Sequence, residues 1–413
     1  MLDIKFIREN REEVEKSTNA RGYKVDFDKL LKLDEERRNF TVKLDDLRAK
    51  RNEVAGQMKG GKPSNDLIAE GKKIKEELAQ SEPKLDEINS EYLALLNSVP
   101  NTLSPDTPIG DETVSTVVRE WGDKKSGAMD HYDFALNRDW VDFDRGTKVA
   151  GNKFYFIKGD LVLLEMALVQ YAMKKIVSAG FKPMTVPHMV TGRVMAGAGF
   201  TPRTSDQSDQ YAIEGEDLEL IATSEIALTG YHADEIIDEK DLPLLYAGYS
   251  PCYRKEAGAA GKFNRGLFRV HQFNKLEMYA FCTPEQSADI HAKILATEEE
   301  ICQGLGIPYR VINIASGDLG APAWKKYDLE WFSPVDETYR EITSCSNCTD
   351  YQARNLNIRV RRESGDIETL HTLNGTAVAL SRLLMVILEC FQNGDKLIVP
   401  EVLRPYMDNR TEL

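Results

Sequence analysis

The stretch "YRKEAGAAGKFNRGLFRVHQFNKLE", residues 253–277, carries charged and aromatic side chains in two segments that have the pattern of strands. Arg254 and Glu256 end the first segment, and a loop rich in glycine and alanine follows. Because side chains alternate between the two faces of a strand, the second segment should present these groups on one face: Arg269, His271, Phe273, Lys275 and Glu277. The opposite face should lie in the core, with Phe268, Val270, Leu276 and Met278.

A hairpin of these two segments would form a shallow tray of polar groups. Phe273 and Glu277 are separated by about 13 Å along a strand, at roughly 3.3 Å per residue. That span suits an elongated ligand with an aromatic base at one end and a small polar group at the other. The alternative is an exposed sheet face with cross-strand ion pairs. The loop "EAGAAGK" favours a ligand, because glycine gives the backbone freedom to close over one.

Composition predicts a soluble globular protein of two or three domains. The chain has 413 residues, of which 42% are hydrophobic and 29% charged. No apolar run approaches the roughly 20 residues that span a bilayer, and "MLDIKFIREN" at the start lacks the apolar region of a secretory signal. The six cysteines lie without a disulfide-scaffold pattern, which is typical of a reducing compartment. We therefore expect a cytoplasmic protein with no membrane partner.

The charge balance bears on nucleic-acid binding. The chain contains 53 Lys and Arg against 67 Asp and Glu, a formal net charge of −14. Taken alone, this charge argues against a polyanion as partner, since non-specific affinity for nucleic acid comes from basic patches that release counterions. A partner that touches one region responds only to the charge of that region. The distribution of charge therefore matters more than the sum.

The first hundred residues predict a helical hairpin. Apolar residues recur by threes and fours in a first seam: Leu30, Leu33, Phe40, Leu44, Leu47, Val54 and Met58. After the turn "GGKPSN" a second seam follows: Leu67, Ile74, Leu78, Leu85, Ile88, Tyr92, Leu95 and Val99. Such heptad spacing is typical of coiled coils. Two helices of some 30 residues, joined by a short turn, form an antiparallel arm about 45 Å long.

The surface of this arm is rich in both signs of charge. Its basic residues are Arg38, Lys43, Arg48, Lys50, Arg51, Lys59, Lys62, Lys72, Lys73 and Lys75, interleaved with acids. One interpretation is a solvated coiled-coil face; the other is an arm that lies along a nucleic-acid backbone. The pattern alone does not decide between them.

From about Asn101 the pattern changes to an α+β domain. The segment "NTLSPDTPIGDE" has the proline and glycine content of a linker. Beyond it, helices alternate with hairpin-like strand pairs, which predicts a mainly antiparallel sheet with flanking helices. Neither a G-x-G-x-x-G after a strand nor a phosphate-binding G-x-x-x-x-G-K-[ST] occurs, so dinucleotide and P-loop chemistry are not indicated.

Two further features have competing interpretations. Arg382 interrupts the apolar segment "TAVALSRLLMVILECF"; it pairs either with an internal carboxylate or with a phosphate, which the planar guanidinium suits. Cys345 and Cys348 have the spacing of metal ligands, but no second pair or nearby histidine completes a tetrahedral site in the sequence. We expect no zinc.

These motifs together resemble the class II aminoacyl-tRNA synthetases, and within them the seryl-tRNA synthetase family of bacterial type. "YRKE…FRVHQFNKLE" resembles motif 2 (about 249–279), "GFKPMTVPHMV" motif 1 (about 176–187), and "LNGTAVALSRLLMVILE" motif 3 (about 372–390). "TSE" at 223–225, "REITSCSNCTDYQAR" and the helical hairpin narrow the resemblance to the seryl family. It covers essentially the whole chain, and the motifs occur in order.

The resemblance implies a domain order and an activity. Residues 1–100 would be a tRNA-binding domain with a hairpin over about 27–99, and residues 101–413 a catalytic domain that opens with a linker over about 101–115. The family activates L-serine with ATP to seryl-adenylate and transfers the seryl group to the 3′ end of tRNA(Ser). The arm would contact that tRNA, Mg²⁺ would accompany ATP, and motif 1 would form a homodimer interface. Whether tRNA(Sec) is also charged is left open.

Site residues follow from the matched positions. Arg254 and Arg382 would be the catalytic cations. L-serine would be bound by Thr223, Ser224, Glu225, Glu277 and Thr376, although Thr223 and Ser224 could simply cap a helix. ATP would be bound by Arg254, Lys255, Glu256, Val270, Phe273, Glu341, Ile342, Thr343, Ser344 and Arg382. Of these, Phe273 would stack on adenine, and Glu341 and Ser344 would hold Mg²⁺.

Two other functions compete with this one. A relative that adenylates an amino acid but loads a carrier protein would lack the long arm, whereas residues 30–99 supply one here. A non-catalytic RNA-binding adaptor could keep the scaffold without the chemistry. The presence of every matched site residue argues against the adaptor.

Overall fold

The computed structural model describes residues 1–59, 64–200, 210–256 and 265–413. Within these residues the chain separates into two units, Met1–Pro100 and Asn101–Leu413. Lys62 and the glycine-rich part of the loop that follows Glu256 lie outside the described residues.

The first unit consists of helices. They are α1 (Ile4–Glu9), α2 (Arg11–Ala20), α3 (Phe27–Met58) and α4 (Asn65–Ser98). The carboxylate of Asp26 and the hydroxyl of Ser64 accept backbone N–H bonds at the first turns of α3 and α4, the usual way to satisfy those donors. Helices of 32 and 34 residues correspond to a hairpin about 48 Å long.

The predicted seams form the interface between α3 and α4. Leu44, Leu47 and Val54 of α3 pack with Ile74 and Leu78 of α4 in one buried cluster. Arg37 of α3 also contacts α4, because its guanidinium lies 4.7 Å from the ring centre of Tyr92, a cation–π contact. The coiled-coil prediction is therefore confirmed.

The second unit is built around one large sheet. Its helices are α5 (His131–Asn137), α6 (Phe143–Ala150), α7 (Asp160–Ser178), α8 (Gly192–Gly197), α9 (Ser224–Gly230), α10 (Ser287–Leu305), α11 (Tyr351–Asn355) and α12 (Leu380–Cys390). The strands of the large sheet are β1 (Thr116–Trp121), β4 (Lys182–Thr185), β8 (Leu244–Tyr253), β9 (Gln272–Cys282), β10 (Tyr309–Asn313), β11 (Lys325–Phe332), β12 (Tyr339–Asn347) and β15 (His371–Ala379). Short strands complete the unit: β2 (Val141–Asp142), β3 (Phe156–Ile157), β5 (Met189–Val190), β6 (Glu219–Leu220), β7 (Ile236–Asp238), β13 (Arg359–Arg361), β14 (Ile367–Thr369), β16 (Gln392–Asn393) and β17 (Lys396–Leu397).

The eight strands of the large sheet lie in the order β1-β10-β11-β12-β15-β9-β8-β4. Every neighbouring pair is antiparallel except β4 with β8, which is parallel. Apolar residues of α7, α10 and α12 pack on one face against Leu276, Met278, Leu329 and Leu373. This leaves the opposite face of the central strands available for a site, and the predicted α+β class is confirmed.

The stretch from 253 to 277 folds partly as predicted. β8 and β9 form an antiparallel hairpin, with Leu276 and Met278 in the core. Strand β9 begins only at Gln272, however, so the alternation does not extend back to Phe268 and Val270. Phe268 still packs against the core cluster of Leu276, as predicted. Val270 is buried in a separate cluster with Phe273, so its predicted place beside Leu276 was wrong. A turn through Gly266, whose φ is +75°, redirects the chain before the strand starts.

None of the helices in the described part of the chain combines the length and apolar character needed to span a bilayer.

Candidate active site

Strand register brings polar side chains from β9, β15 and β12 to one face of the sheet. Glu277 lies opposite Gly248 of β8 and opposite Thr376 of β15. Asn374 of β15 lies in turn opposite Ser346 of β12. Gly248 is required here because a Cβ atom would come within 2.5 Å of the Ser224 hydroxyl of α9. The helix can therefore approach the sheet closely beside Glu277.

Two adjoining cavities open on this face. Both are lined by Arg254, Lys275, Ser344 and Thr376. The first, of about 60 Å³, is also lined by Glu256, Phe268, Val270, Phe273, Glu341, Ile342, Ala379, Ser381 and Arg382. The second, of about 550 Å³, is also lined by Thr223, Glu225, Glu277, Lys326, Ser346, Cys348 and Asn374, among others. A ligand that spans both would meet the four shared residues at its middle.

Arginine and aromatic side chains pair in the first cavity. The Arg254 guanidinium lies 5.2 Å from the ring centre of Phe273, and that of Arg382 lies 5.0 Å from the ring centre of Phe268. Arg382 also approaches the Glu341 carboxylate to 3.4 Å. The internal ion pair considered for Arg382 is therefore present, and the same guanidinium still faces the cavity. Flat rings beside cations are suited to a nucleotide base and its phosphates.

Glu341 stays ionised among these cations. Desolvation alone would raise its pKa, but Arg382, followed by Lys326 and Arg254, lowers the pKa of Glu341 to about 2. Burial prevails at Asp328, where it raises the pKa to about 7 although Lys326 donates to this carboxylate at 3.0 Å. Glu341 and the Ser344 hydroxyl thus offer the hard oxygen ligands that Mg²⁺ prefers.

A buried ion pair occupies the second cavity. Glu277 is 1% exposed, forms an ion pair with Lys275, and accepts a hydrogen bond from the Thr376 hydroxyl at 3.3 Å. Lys275 also donates to the Thr223 hydroxyl at 3.2 Å. Thr223 in addition accepts the Glu225 N–H at 3.3 Å. Thr223 therefore caps α9, as the alternative interpretation expected, and its side chain also lines the second cavity.

Glu225 is held in one orientation by two amides. Its Oε1 accepts from Gln352 at 2.8 Å and from Asn374 at 2.9 Å. Burial, followed by the nearby charge of Glu277, raises the pKa of Glu225 to about 7. The amides fix Oε1, so Oε2 is the oxygen whose protonation and partners remain adjustable.

Arg269 and His271 do not lie on the ligand face where alternation placed them. Arg269 donates to the Glu256 carboxylate at 2.9 Å, and His271 Nδ1 donates to the Arg254 carbonyl at 2.9 Å. Both precede β9, so strand parity does not apply to them. They hold the segment 254–256, in which Glu256 has the strained φ of +48°.

Three predicted site residues have side chains that line neither cavity. Ser224 is buried and donates to the Gly248 carbonyl at 3.2 Å. Thr343 donates to Glu298 of α10 at 3.0 Å, on the helix-covered side of the sheet. Lys255 is exposed, with its ammonium 5.8 Å from the ring centre of Tyr211. The other predicted site residues line one or both cavities.

The motif comparison missed three residues of this site. The motif match gave Lys275 no role, although the alternating pattern had already placed it on the ligand face between Phe273 and Glu277. Asn374 precedes Thr376 by two residues on the same strand, which is a weaker signal of the same kind. Gln352 lies on α11, and no sequence pattern links it to Glu225.

The two cysteines with metal-ligand spacing, Cys345 and Cys348, lie in different surroundings. All six cysteines are buried, and none of them forms a disulfide. Cys345 belongs to the core beneath the sheet, whereas Cys348 lines the second cavity, where Asn374 donates to its sulfur at 3.6 Å.

Comparison with known proteins identifies the family. Residues 1–103 match the model of the seryl-tRNA synthetase N-terminal domain, and residues 210–391 that of the class II tRNA synthetase core domain for G, H, P, S and T. A serine–tRNA ligase of Dictyoglomus turgidum is 46% identical over 98% of both chains. The chain belongs to the seryl-tRNA synthetase family.

Other members of this family are similar to the chain over its full length. A serine–tRNA ligase of Nitrosopumilus maritimus is 40% identical over 100% of both chains. The crystal structure of a seryl-tRNA synthetase from Pyrococcus horikoshii complexed with ATP superposes with a TM-score of 0.89 at 39% identity, covering 100% of this chain and 99% of that one. The resemblance drawn from the motifs is thus confirmed, as is the class II architecture of the core.

Proposed function

We propose that the protein is a serine–tRNA ligase that uses ATP. In the first step an oxygen of the serine carboxylate attacks the α-phosphorus, the bond from that phosphorus to the bridging oxygen breaks, and pyrophosphate leaves. In the second step the terminal 3′-hydroxyl of tRNA(Ser) attacks the carbonyl carbon of seryl-adenylate, and AMP leaves. Both steps depend on positioning and charge stabilisation more than on a nucleophilic side chain.

The first cavity is suited to ATP. Phe273 offers a stacking surface for adenine, with Val270 beside it. Arg254, at the junction of the cavities, would meet the α-phosphate, where negative charge builds up during displacement, and Arg382 would meet the γ-phosphate. Glu341 and Ser344 would hold Mg²⁺, which neutralises phosphate charge when bound. Glu256 completes the nucleotide site, and Lys255, Ile342 and Thr343 would contribute to it through their backbone groups.

The second cavity is suited to L-serine. Glu277 can accept hydrogen bonds from the substrate ammonium and hydroxyl groups, and Thr376 lies within hydrogen-bond distance of the same carboxylate. Thr223 and Glu225 face the substrate from α9, while Ser224 would act through its backbone. An amino acid without the hydroxyl would leave buried polar groups unpaired, which disfavours alanine by about 10⁴-fold.

One observation carries the proposal: Arg254, Lys275, Ser344 and Thr376 line both cavities. A carboxylate bound in the second cavity therefore meets an α-phosphate bound in the first. Purified protein with Mg²⁺ should catalyse ATP–pyrophosphate exchange that depends on serine and not on alanine or threonine. No exchange, or equal exchange with all three amino acids, would refute the proposal.

The raised pKa of Glu225 predicts a pH dependence. At a pH below the Glu225 pKa of about 7, this carboxyl group is protonated. The proton must leave before the carboxylate can pair with the serine ammonium. The KM for serine should therefore fall about tenfold from pH 6 to pH 8, measured by exchange at saturating ATP. Glu225→Gln should have a high KM that is flat over this range. An unchanged slope in that variant would assign the titration to another group.

The helical hairpin is proposed to bind tRNA(Ser). Several exposed cations of α3 and α4 have no ion-pair partner among the described residues: Lys43, Lys50, Arg51, Lys73 and Lys75. Such cations are free to contact phosphates, and binding by backbone and shape needs only a local patch of positive charge. The acidic balance of the whole chain does not oppose this.

A homodimer is proposed through motif 1. Leu163, Met166 and Val177 share an exposed apolar stripe of α7, with 45–52% of each residue accessible. The neighbouring β4 lies at the end of the sheet and pairs only with β8 among the described strands. A second copy would cover both features. The molar mass of the exchange-active protein should be twice the 46.6 kDa of one chain, and a monomer would refute the dimer. As a tRNA-charging enzyme, the protein is expected in the cytoplasm.

A further inference from the structure

Helix α5 contacts the chain where it returns from the glycine-rich loop. The Arg265 guanidinium donates to both carboxylate oxygens of Asp133, at 3.2 and 2.6 Å. The same guanidinium lies 4.1 Å from the ring centre of Tyr132. Two residues further on, the Leu267 N–H donates to His131 Nε2 at 3.2 Å. Three successive positions of α5 therefore hold the short segment 265–267.

The contact with His131 leaves no room for a side chain at position 266. A Cβ atom on Gly266 would lie 2.2 Å from His131 Nε2, and the φ of +75° is one that side chains rarely adopt. Glycine thus allows the backbone to reach the imidazole closely enough for the Leu267 hydrogen bond.

The other imidazole nitrogen is bound to the motif 3 helix. His131 Nδ1 donates to Glu389 Oε1 at 2.7 Å, and the hydroxyl of Ser333 donates to Oε2 of the same carboxylate at 3.0 Å. Glu389 is 1% exposed. Because Nε2 accepts an amide hydrogen, this arrangement requires a neutral imidazole with its proton on Nδ1.

His131 and Glu389, with their partners Leu267 and Ser333, form a hydrogen-bond hub. Asp130, His131 and Glu389 place oxygen and nitrogen atoms within 4.8 Å of one another, as metal ligands would. Both nitrogens of His131 and both oxygens of Glu389 already have partners in the protein, however. The role of the hub is therefore to tie structural elements together.

The elements tied together carry two walls of the first cavity. Phe268 follows Leu267 directly, and its ring packs on the Arg382 guanidinium. Val270, two residues later, lines the same cavity. Arg382 and Glu389 both lie on α12, about two helical turns apart. His131 therefore links the segment bearing Phe268 and Val270 to the helix that bears Arg382.

We propose that His131 is a positioning residue for the nucleotide. Its Nε2 accepts a hydrogen bond from the segment 265–270 and its Nδ1 donates one to α12, so the imidazole fixes that segment against the helix. The inference rests on the proposed function, in which the first cavity binds ATP. Loss of the acceptor at Nε2 would free the wall formed by Phe268 and Val270, and it should weaken ATP binding without changing the serine pocket.

Two substitutions separate this role from a merely structural one. In His131→Asn the amide can still donate to Glu389 but is too short to reach Leu267. In His131→Gln the longer amide can accept from Leu267. Asp130→Asn is the matched control: Asp130 accepts the Tyr132 N–H at 2.9 Å, which asparagine also can, and it has no hydrogen bond to the segment 265–268.

The measurements are steady-state exchange kinetics and amide hydrogen exchange at Leu267. His131→Asn should raise the KM for ATP about tenfold, the worth of one buried hydrogen bond, with the KM for serine unchanged. The Leu267 amide should exchange correspondingly faster. His131→Gln should restore most of the ATP KM, and Asp130→Asn should match the wild type in both measurements.

The outcomes are distinguishable. An ATP KM that is unchanged in His131→Asn, or equally raised in the Asn and Gln variants, would overturn the positioning role while wild-type exchange remained normal. Absence of serine-dependent exchange in the wild type would instead refute the proposed function, and the inference would fall with it. Unaltered Leu267 protection in His131→Asn would overturn the anchor itself.

Discussion

Replacing Glu277 by glutamine should reduce serine-dependent kcat/KM in ATP–pyrophosphate exchange by about a thousandfold. Glutamine keeps the size of the side chain and can still accept a hydrogen bond from Lys275, but it removes the buried charge that would balance the substrate ammonium. The KM for ATP should change by less than about threefold, because Glu277 lines only the second cavity.

A matched control for this variant is Glu298→Gln. Glu298 is also fully buried, but it lies on α10 and accepts from Thr343. Desolvation raises its pKa well above the usual range, and glutamine has nearly the same size and can still accept the Thr343 hydrogen bond. Near-normal exchange is expected. Equal losses for serine and ATP in Glu277→Gln would refute the assignment of the second cavity to serine.

Shortening the helical hairpin should abolish tRNA charging while sparing amino-acid activation. The side chains of Arg48 and Glu82 approach to 3.1 Å across the two helices, so residues 49–81 can be removed and the ends joined by a short glycine–serine linker. Aminoacylation should fall by at least about a hundredfold, because the removed phosphate contacts supply affinity. Serine-dependent exchange should stay within about twofold of the wild type.

Charge variants of the full-length hairpin test whether tRNA binding depends on its cations as well as on its length. Replacing Lys73 and Lys75 by glutamine should weaken tRNA binding and reduce its salt dependence. Replacing the exposed acids Glu70 and Glu87 by glutamine is the matched control, and it should not weaken binding. Charging that persists unchanged in the shortened protein would show that the hairpin has a structural role only.

Periodic features of this protein could be predicted from its residues alone. Heptad spacing places Leu44, Leu47 and Val54 on one stripe of a helix, whatever the rest of the chain does. The two-residue repeat of side-chain direction in a strand likewise places Phe273, Lys275 and Glu277 on one side. Both rules act over a few residues, where backbone geometry decides the direction of each side chain.

The same rules failed where the backbone left regular geometry. Alternation was extended to Phe268 through His271, but the turn at Gly266 delays the strand until Gln272. Arg269 and His271 consequently hold the segment 254–256 instead of facing a ligand. The motif match included Ser224, Lys255 and Thr343. The packing of α9 and of the sheet directs the side chains of Ser224 and Thr343 away from both cavities, and that of Lys255 is exposed.

Local sequence thus determined the coiled-coil hairpin, the α+β class, and the side of β9 on which the ligand groups lie, since each depends on a short repeat. The tertiary structure decided which distant groups meet. Register between β9 and β15 brings Thr376 to Glu277, α12 brings Arg382 to Glu341, and α5 brings His131 to Leu267. These contacts join residues 41 to 136 positions apart in the chain; they arise from packing of whole elements, and no short pattern encodes them.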